Sequence, residues 1–325
     1  MSIDQSWTCD GILNQTVTRN TFALIILNQP VTRPDILRRL WQSAKIKICA
    51  DGGGNRLHDT LRTFRESLDG IEEAKDEVSD LRETFLPDVI KGDLDSLRPD
   101  VAEYYASKGV QIIKDPDEYS TDLQKCIQHV EEMEQAQGGT LVPIVIYGGL
   151  SGRLDQTTAV LSLLHKLRRR TKTLTKPAST EPNASSVTAT ADTIHDRKKP
   201  GSVKLPTGEE MYISYDDTDD TESGRRHARG VGKRDIRVVN DDCIAWVLDS
   251  GTHVIEVDHE RYGQTCGVLP LGVQESRVST SGLKWDFDWL TSFDTQISTS
   301  NHLLPENPRV TVTTSRPVFW TMEIR

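Results

Sequence analysis

IKICADGGGNRL, residues 46–57, decides the reading of the fold. Residues 46–50 are mostly apolar and read as a short strand. Asp51 and three consecutive glycines end it, and Asn55 is placed to open a helix. A strand that passes through a glycine-rich turn into a helix is the repeating unit of open, largely parallel α/β sheets. Glycines at this point either let the backbone approach a phosphate closely or form a tight turn capped by Asp51.

The same rhythm extends on both sides. Strands are predicted at 22–27, 88–91, 111–114 and 141–147, each apolar or β-branched and followed by turn residues. Helices are predicted at 34–43 and 99–107, where Pro34 and Pro99 suit a first helical turn. A third helix follows Ser120 and Thr121, either of which can cap it, and places Leu123, Ile127, Val130 and Met133 on one face. A fourth runs from Leu154 through Val160, Leu161, Leu164 and Leu167, and residues 65–84 read as a charged surface excursion. Residues 21–168 are thus expected to form a mostly parallel α/β nucleotide-binding domain, preceded by an N-terminal extension at 1–20.

The character changes beyond 168. Residues 168–235 carry 14 Lys/Arg and 11 Asp/Glu with few apolar side chains. Such a segment buries too little apolar surface to offset its ordering entropy. The stretch 169–235 is expected to be a polar, disordered insertion with one short strand at 211–215. From 236 to 325 the chain consists of short, β-branched, turn-bounded runs, which predict an antiparallel β-sandwich domain.

Composition narrows the function. The 325 residues hold 39 Lys/Arg and 49 Asp/Glu, a formal net charge of −10. An acidic chain without a basic, aromatic-interleaved stripe excludes a nucleic-acid partner. The apolar runs at 22–27, 141–147 and 243–248 fall far short of the ~20 residues that cross a bilayer, so no membrane segment is expected. The first fifteen residues have neither the basic and apolar regions of a signal peptide nor the arginines of a transit peptide. Five scattered cysteines without a CxxC pair read as reduced thiols of a cytoplasmic protein.

Four motifs fall at ends of predicted strands, where open α/β sheets bind ligands. The first is the DGGG turn. The second is KGDLDSL, residues 91–97, where Asp93 and Asp95 can reach one hard cation, or where Asp95 or Ser96 caps the next helix. The third, KDPDEYSTDL at 114–123, has Asp115 and Asp117 on a solvated loop and Asp122 at a helix start, suited to a metal or phosphate role. The fourth, YGGLSGRLDQ at 147–156, joins Gly148, Gly149 and Gly152 to Arg153, a donor fork for phosphate, with Asp155 as cap or ligand. Glycines, paired carboxylates and an arginine together are the parts of a Mg-nucleotide, phosphoryl-transfer site.

DGGGNRL, GDLDS, STDLQKCI and GGLSGRLDQ, in this order and followed by STSGLKWDF and ISTSN, resemble the eukaryotic thiamine pyrophosphokinase family over 21–168 and 236–325. The resemblance implies transfer of pyrophosphate from ATP to the hydroxyl of thiamine, by a homodimer whose active site lies where the subunits meet. It implies Asp51, Asp93, Asp95 and Asp122 as the catalytic acids, with Mg2+ held by Asp93, Asp95 and Asp122. ATP would be bound by Gly52, Gly53, Asn55, Arg56 and Thr121, and by Gly148, Gly149, Arg153 and Asp155. Thiamine would meet Glu118, Trp285 and Ser298, and an indole face does attract a cationic aromatic ligand. Trp246, Trp289 and Trp320 are left to core or interface packing. Two competing readings are a pyrophosphokinase for another small alcohol and a non-catalytic sensor of nucleotide or thiamine.

Overall fold

The computed structural model describes residues 3–8, 10–13, 22–68, 81–168 and 234–325, together with three short strands between 169 and 233. The chain opens with β1 (Gln5–Thr8) and α1 (Asp10–Leu13). It continues through β2 (Phe22–Ile26), α2 (Pro34–Ser43), β3 (Ala44–Ala50), α3 (Gly53–Leu68), α4 (Leu81–Thr84) and β4 (Val89–Gly92). Then come α5 (Pro99–Ser107), β5 (Gln111–Lys114), α6 (Asp122–Ala136), β6 (Ile144–Tyr147) and α7 (Leu154–Leu167).

Residues 169–233 form a compact unit of their own. In it β7 (Lys172–Thr175), β8 (Ser202–Lys204) and β9 (Glu210–Tyr215) pair antiparallel in the order β7-β9-β8. The strand expected at 211–215 is β9. The rest of the segment read as a polar insertion lies outside the described residues.

The remaining strands are β10 (Ile236–Val239), β11 (Cys243–Leu248), β12 (Gly251–Glu256), β13 (Tyr262–Leu269) and β14 (Ser276–Ser281). They are followed by β15 (Asp288–Thr291), β16 (Ser298–His302), β17 (Arg309–Thr314) and β18 (Val318–Ile324). Both expected architectures are present, a parallel α/β part and an antiparallel sandwich. They share a sheet. Strands β6, β2, β3, β4 and β5 lie parallel in that order, and β10 joins them parallel to β6, with Ile236 opposite Ile144. Beyond β10 the same sheet continues antiparallel through β11, β18, β13 and β16. The change of strand direction within this one ten-stranded sheet therefore falls between β10 and β11, after residue 236. All four residues of β10 are buried, as an interior strand requires.

Strand alternation sorts the side chains onto two faces. Phe22, Leu24 and Ile26 join Ile36, Leu40 and Leu57 in a core that continues past Trp246 and Trp320 to Val310 and Val312 of the second sheet. Ala23 and Ile25 face the other way, where Ile127 and Val130 of α6 and Val160 and Leu164 of α7 cover them. Pro34 and Pro99 occupy the first turns of α2 and α5 as expected, and Thr121 caps α6 in a reciprocal box with Gln124. The second sheet has the order β1-β12-β17-β14-β15.

The N-terminal extension is not a free tail in its described part, because β1 pairs parallel with β12. Trp7 enters the core 5.7 Å from Trp246, under the Arg237 guanidinium, and its Nε1 donates to His253 Nδ1 at 3.1 Å. Trp7→Ala is expected to cost about 3–5 kcal/mol, the range for an emptied aromatic site. Guanidinium unfolding checks this, and a loss below about 1 kcal/mol would place β1 outside the cooperative core.

Candidate active site

Asp51, Asp93 and Asp122 converge at the carboxyl ends of β3 and β4. Each offers a carboxylate oxygen within 4.8 Å of the others. The approach is possible because Gly92 stands between them. A Cβ there would lie 2.7 Å from the Asp51 Cβ and 2.9 Å from Asp122 Oδ1. Asp51 is 3% exposed and its backbone sits at φ +44, a left-handed conformation that turns the chain from β3 into α3. Its carboxylate accepts from the backbone N–H groups of Ser96 and Leu97, each at 3.1 Å. Burial raises the Asp51 pKa, backbone N–H donors at Gly52 and Ser96 oppose this, and the neighbouring Asp122 charge adds to the rise.

Two buried lysines stand behind the acids. Lys125 Nζ lies 3.3 Å from Asp122 Oδ1, and Lys91 Nζ lies 3.3 Å from Asp115 Oδ2. Lys125 is 2% exposed. A buried ammonium is stable only with such a partner. Asp122 Oδ1 also accepts from the Asp93 N–H, which ties α6 to the end of β4. Three hard oxygen donors of this kind fit Mg2+.

Asp95, expected beside Asp93, is not a member of this triad. Its N–H donates to Asp93 Oδ1 at 3.1 Å across Leu94, which has φ +63, and its exposed carboxylate takes the Ser96 hydroxyl. Neither Asp95 nor Ser96 caps α5. The Asn55 Oδ1 receives the Arg98 N–H instead, while its Nδ2 donates to Ser96 O at 2.7 Å. Asn55 therefore lies in the first turn of α3, which opens at Gly53, and braces the 93–98 loop.

The glycines of 52–54 answer to packing. A Cβ at Gly53 would stand 2.3 Å from Ile26 O, and one at Gly52 would stand 2.3 Å from Asn28 Nδ2. Asn28 Oδ1 receives Arg56 Nε at 2.8 Å, so the loop after β2 is tied to the DGGG turn. The adjacent residue, Gln29, reaches the other way. Its Oε1 accepts from the Gly149 N–H and the Ser151 hydroxyl, each at 2.8 Å, and its Nε2 donates to Ser151 O. Two neighbouring amides thus hold the two glycine loops on either side of β2. Sequence reasoning missed both, since nothing local distinguishes them from turn residues before Pro30. Arg153 and Asp155 are exposed and pair with each other, which raises the arginine pKa and lowers the carboxylate. Asp155 does not cap α7, whose N-cap is Arg153.

The remaining expected residues lie elsewhere. Glu118 is exposed beside Tyr119, on the loop before α6. Trp285 is 51% exposed, with Lys284 Nζ 4.6 Å over its ring and the His302 ring at 4.8 Å. Asn301 clamps it through both Trp285 N and O, so the turn between β14 and β15 that carries the indole is held against β16. Ser298 is buried at the start of β16 opposite Val268. Trp246 and Trp320 are fully buried cross-strand partners, and Trp289 stacks on Phe287. Among the described residues no helix is long and apolar enough to cross a membrane.

Comparison with known proteins follows the same division. The family model "Thiamin pyrophosphokinase, catalytic domain" matches residues 37–175, and "Thiamin pyrophosphokinase, vitamin B1 binding domain" matches 252–319. Thiamine pyrophosphokinase 3 of Oryza sativa subsp. japonica is 30% identical over 307 residues, covering 94% of this chain and 87% of the rice protein. Thiamine pyrophosphokinase of Saccharomyces cerevisiae is 27% identical, covering 87% of this chain and 80% of the yeast protein. The solved thiamin pyrophosphokinase of Candida albicans has the same fold, with a TM-score of 0.65, 20% identity, and coverage of 99% of this chain and 93% of that one.

The glycine between the acids gives a sharp test of their grouping. Gly92→Ala is expected to abolish Mn2+ or Mg2+ binding measured by titration calorimetry, because Asp51 and Asp122 must move apart to admit the methyl group. Wild-type affinity in this variant would show that the triad is not the cation site.

Proposed function

The chain belongs to the thiamin pyrophosphokinase family, and we propose from this that it transfers the pyrophosphoryl group of ATP to the hydroxyl of thiamine. The thiamine hydroxyl oxygen bonds to the β-phosphorus of ATP and the bond from that phosphorus to the α-phosphate oxygen breaks. The products are thiamine diphosphate, AMP and the hydroxyl proton.

The Asp51–Asp93–Asp122 triad is the observation that carries the reading. In it these three side chains would hold Mg2+, which when bound would neutralise charge on the phosphates. The burial of Asp51 and the N–H groups of Ser96 and Leu97 fix one carboxylate before substrate arrives, so little reorganisation accompanies binding. Asp95 supports the turn that presents Asp93. Lys125 balances Asp122 from behind, and Lys91 pairs with the nearby Asp115. Residues 21–168 supply the nucleotide half of the site and 236–325 the thiamine half, where the exposed Trp285 face suits a cationic aromatic ligand by about 0.5–2 kcal/mol.

Strand order supports a homodimer. Between β4, which ends at the triad, and β16, which carries Ser298 and through Asn301 holds the Trp285 turn, stand seven strands of the same sheet. At about 4.8 Å per step the two half-sites are on the order of 35–40 Å apart along the sheet. A second copy in two-fold symmetry brings the thiamine half of one subunit to the acids of the other. The free thiols of Cys49, Cys126, Cys243 and Cys266 accord with a reducing, cytoplasmic setting.

Incubation with Mg-ATP tests the reaction, with AMP expected only when thiamine is present. AMP without thiamine dependence, or none at all, overturns it. Trp285→Ala is expected to raise the thiamine KM about tenfold with the ATP KM unchanged. An unchanged thiamine KM would favour a different small alcohol as acceptor.

A further inference from the structure

Trp285 is the one exposed tryptophan of this chain, and its ring already meets a cation. It lies in the turn between β14 and β15, and the ammonium of the preceding residue, Lys284, stands 4.6 Å over the indole. Backbone contacts fix this pairing. The Lys284 N–H donates to His302 O at 2.9 Å, while the Asn301 amide meets both Trp285 N and O, so both residues are held against β16. The nearest acid in sequence, Asp286, is engaged elsewhere. Its Oδ1 accepts from the Leu283 N–H at 3.0 Å and the Thr280 hydroxyl at 3.1 Å, and its Oδ2 from the Gly282 N–H at 2.9 Å.

Other cations that stand over rings have a second partner. Lys47 donates to Ala44 O, Lys108 pairs with Glu83, and Arg237 pairs with Asp235. Among the described residues no carboxylate pairs with Lys284, so its ammonium is left with the indole and water. One indole face does not hold two cations. Like charges at contact repel, and a ring stacked on the indole needs the volume that the lysine fills. A cationic aromatic ligand therefore exchanges one cation–π contact for another on this face, and its net advantage is the area of its rings. A bare cation brings no such area and gains nothing from the exchange.

We propose that Lys284 is a specificity-determining residue that acts by competition: its ammonium occupies the Trp285 face in the unliganded protein, yields to a cation that carries aromatic rings, and turns away small cations that do not. This rests on the reading of Trp285 as the surface that stacks on thiamine. The role is opposite in sign to that of a lysine that binds a ligand. Removing the side chain improves binding.

Two measurements on the full chain test this, and the first needs no thiamine. Caesium ion quenches indole fluorescence by contact as a bare cation, and acrylamide does so without charge. Lys284→Met keeps the bulk of the side chain and removes its charge. It is expected to raise the ratio of caesium to acrylamide quenching constants about two- to fivefold, the change that an exposed cation–π contact corresponds to. In titration calorimetry the same variant is expected to bind thiamine about two- to fivefold more tightly. Lys284→Arg, whose guanidinium also stacks on an indole, should bind it no more tightly than wild type. In a Trp285→Leu background, Lys284→Met should change thiamine affinity by less than about 1.5-fold, because the lysine there has no face to occupy. Unchanged or weaker thiamine binding by Lys284→Met would overturn the proposal, as would an unchanged quenching ratio or an equal gain without Trp285. The expected quenching result in a wild-type protein that binds no thiamine would instead contradict the reading of Trp285 on which the proposal rests.

Discussion

Asp51 and Asp122 approach each other across a residue with no side chain, and the rest of the site depends on that approach. Like charges at this spacing repel, so the fold must hold them by means that do not give way. It does so with backbone N–H donors to Asp51, the Asp93 N–H to Asp122, and the buried ammonium of Lys125 behind them. These donors come from the 93–97 loop after β4 and from α6, elements that meet Asp51 because β3 and β4 are adjacent and parallel. The arrangement stores negative charge where a divalent cation and phosphates can use it.

The same sheet that assembles the acids separates them from Trp285. Had the β-rich region been an independent domain on a flexible connection, one chain might fold back and complete its own site. Because β10 is hydrogen-bonded along β6 and buried on both faces, the thiamine half is built rigidly into the far end of the sheet. A continuous core from Leu24 through Trp246 and Trp320 to Val312 leaves no hinge between the halves. The proposed two-fold assembly rests on this single-chain geometry.

Much of the fold was legible in the sequence, for local reasons. Pro34 and Pro99 marked helix starts because their fixed φ suits a first turn, and the apolar runs marked strands because both sheet faces are covered. The strand β1 was hidden, since four residues pair with a partner far along the chain and carry no local signal. Asp51, Asp93 and Asp122 stood out as acids at strand ends. Asp95 was grouped with them by its spacing from Asp93 and by the resemblance, and the positive φ of Leu94 between the two acids is a local turn that spacing does not express. Lys125, Asn28 and Gln29 were passed over for one reason: their partners belong to other elements, so their roles exist only in the tertiary structure. The glycine triplet was legible as a site but not in its cause, which is the closeness of Ile26 O to Gly53.

Mixing two impaired variants tests the shared site most directly. Asp93→Ala, expected to be inactive, and Trp285→Ala, expected to keep about one tenth of wild-type activity at a thiamine concentration well below KM, are combined by denaturation and refolding and assayed for thiamine-dependent AMP. Random pairing makes about half the dimers hybrid, and in each hybrid one site has an intact triad from one subunit and an intact indole from the other. Recovery of about one quarter of wild-type activity is the expected result. Activity no greater than that of the two variants assayed separately would contradict a site divided between subunits.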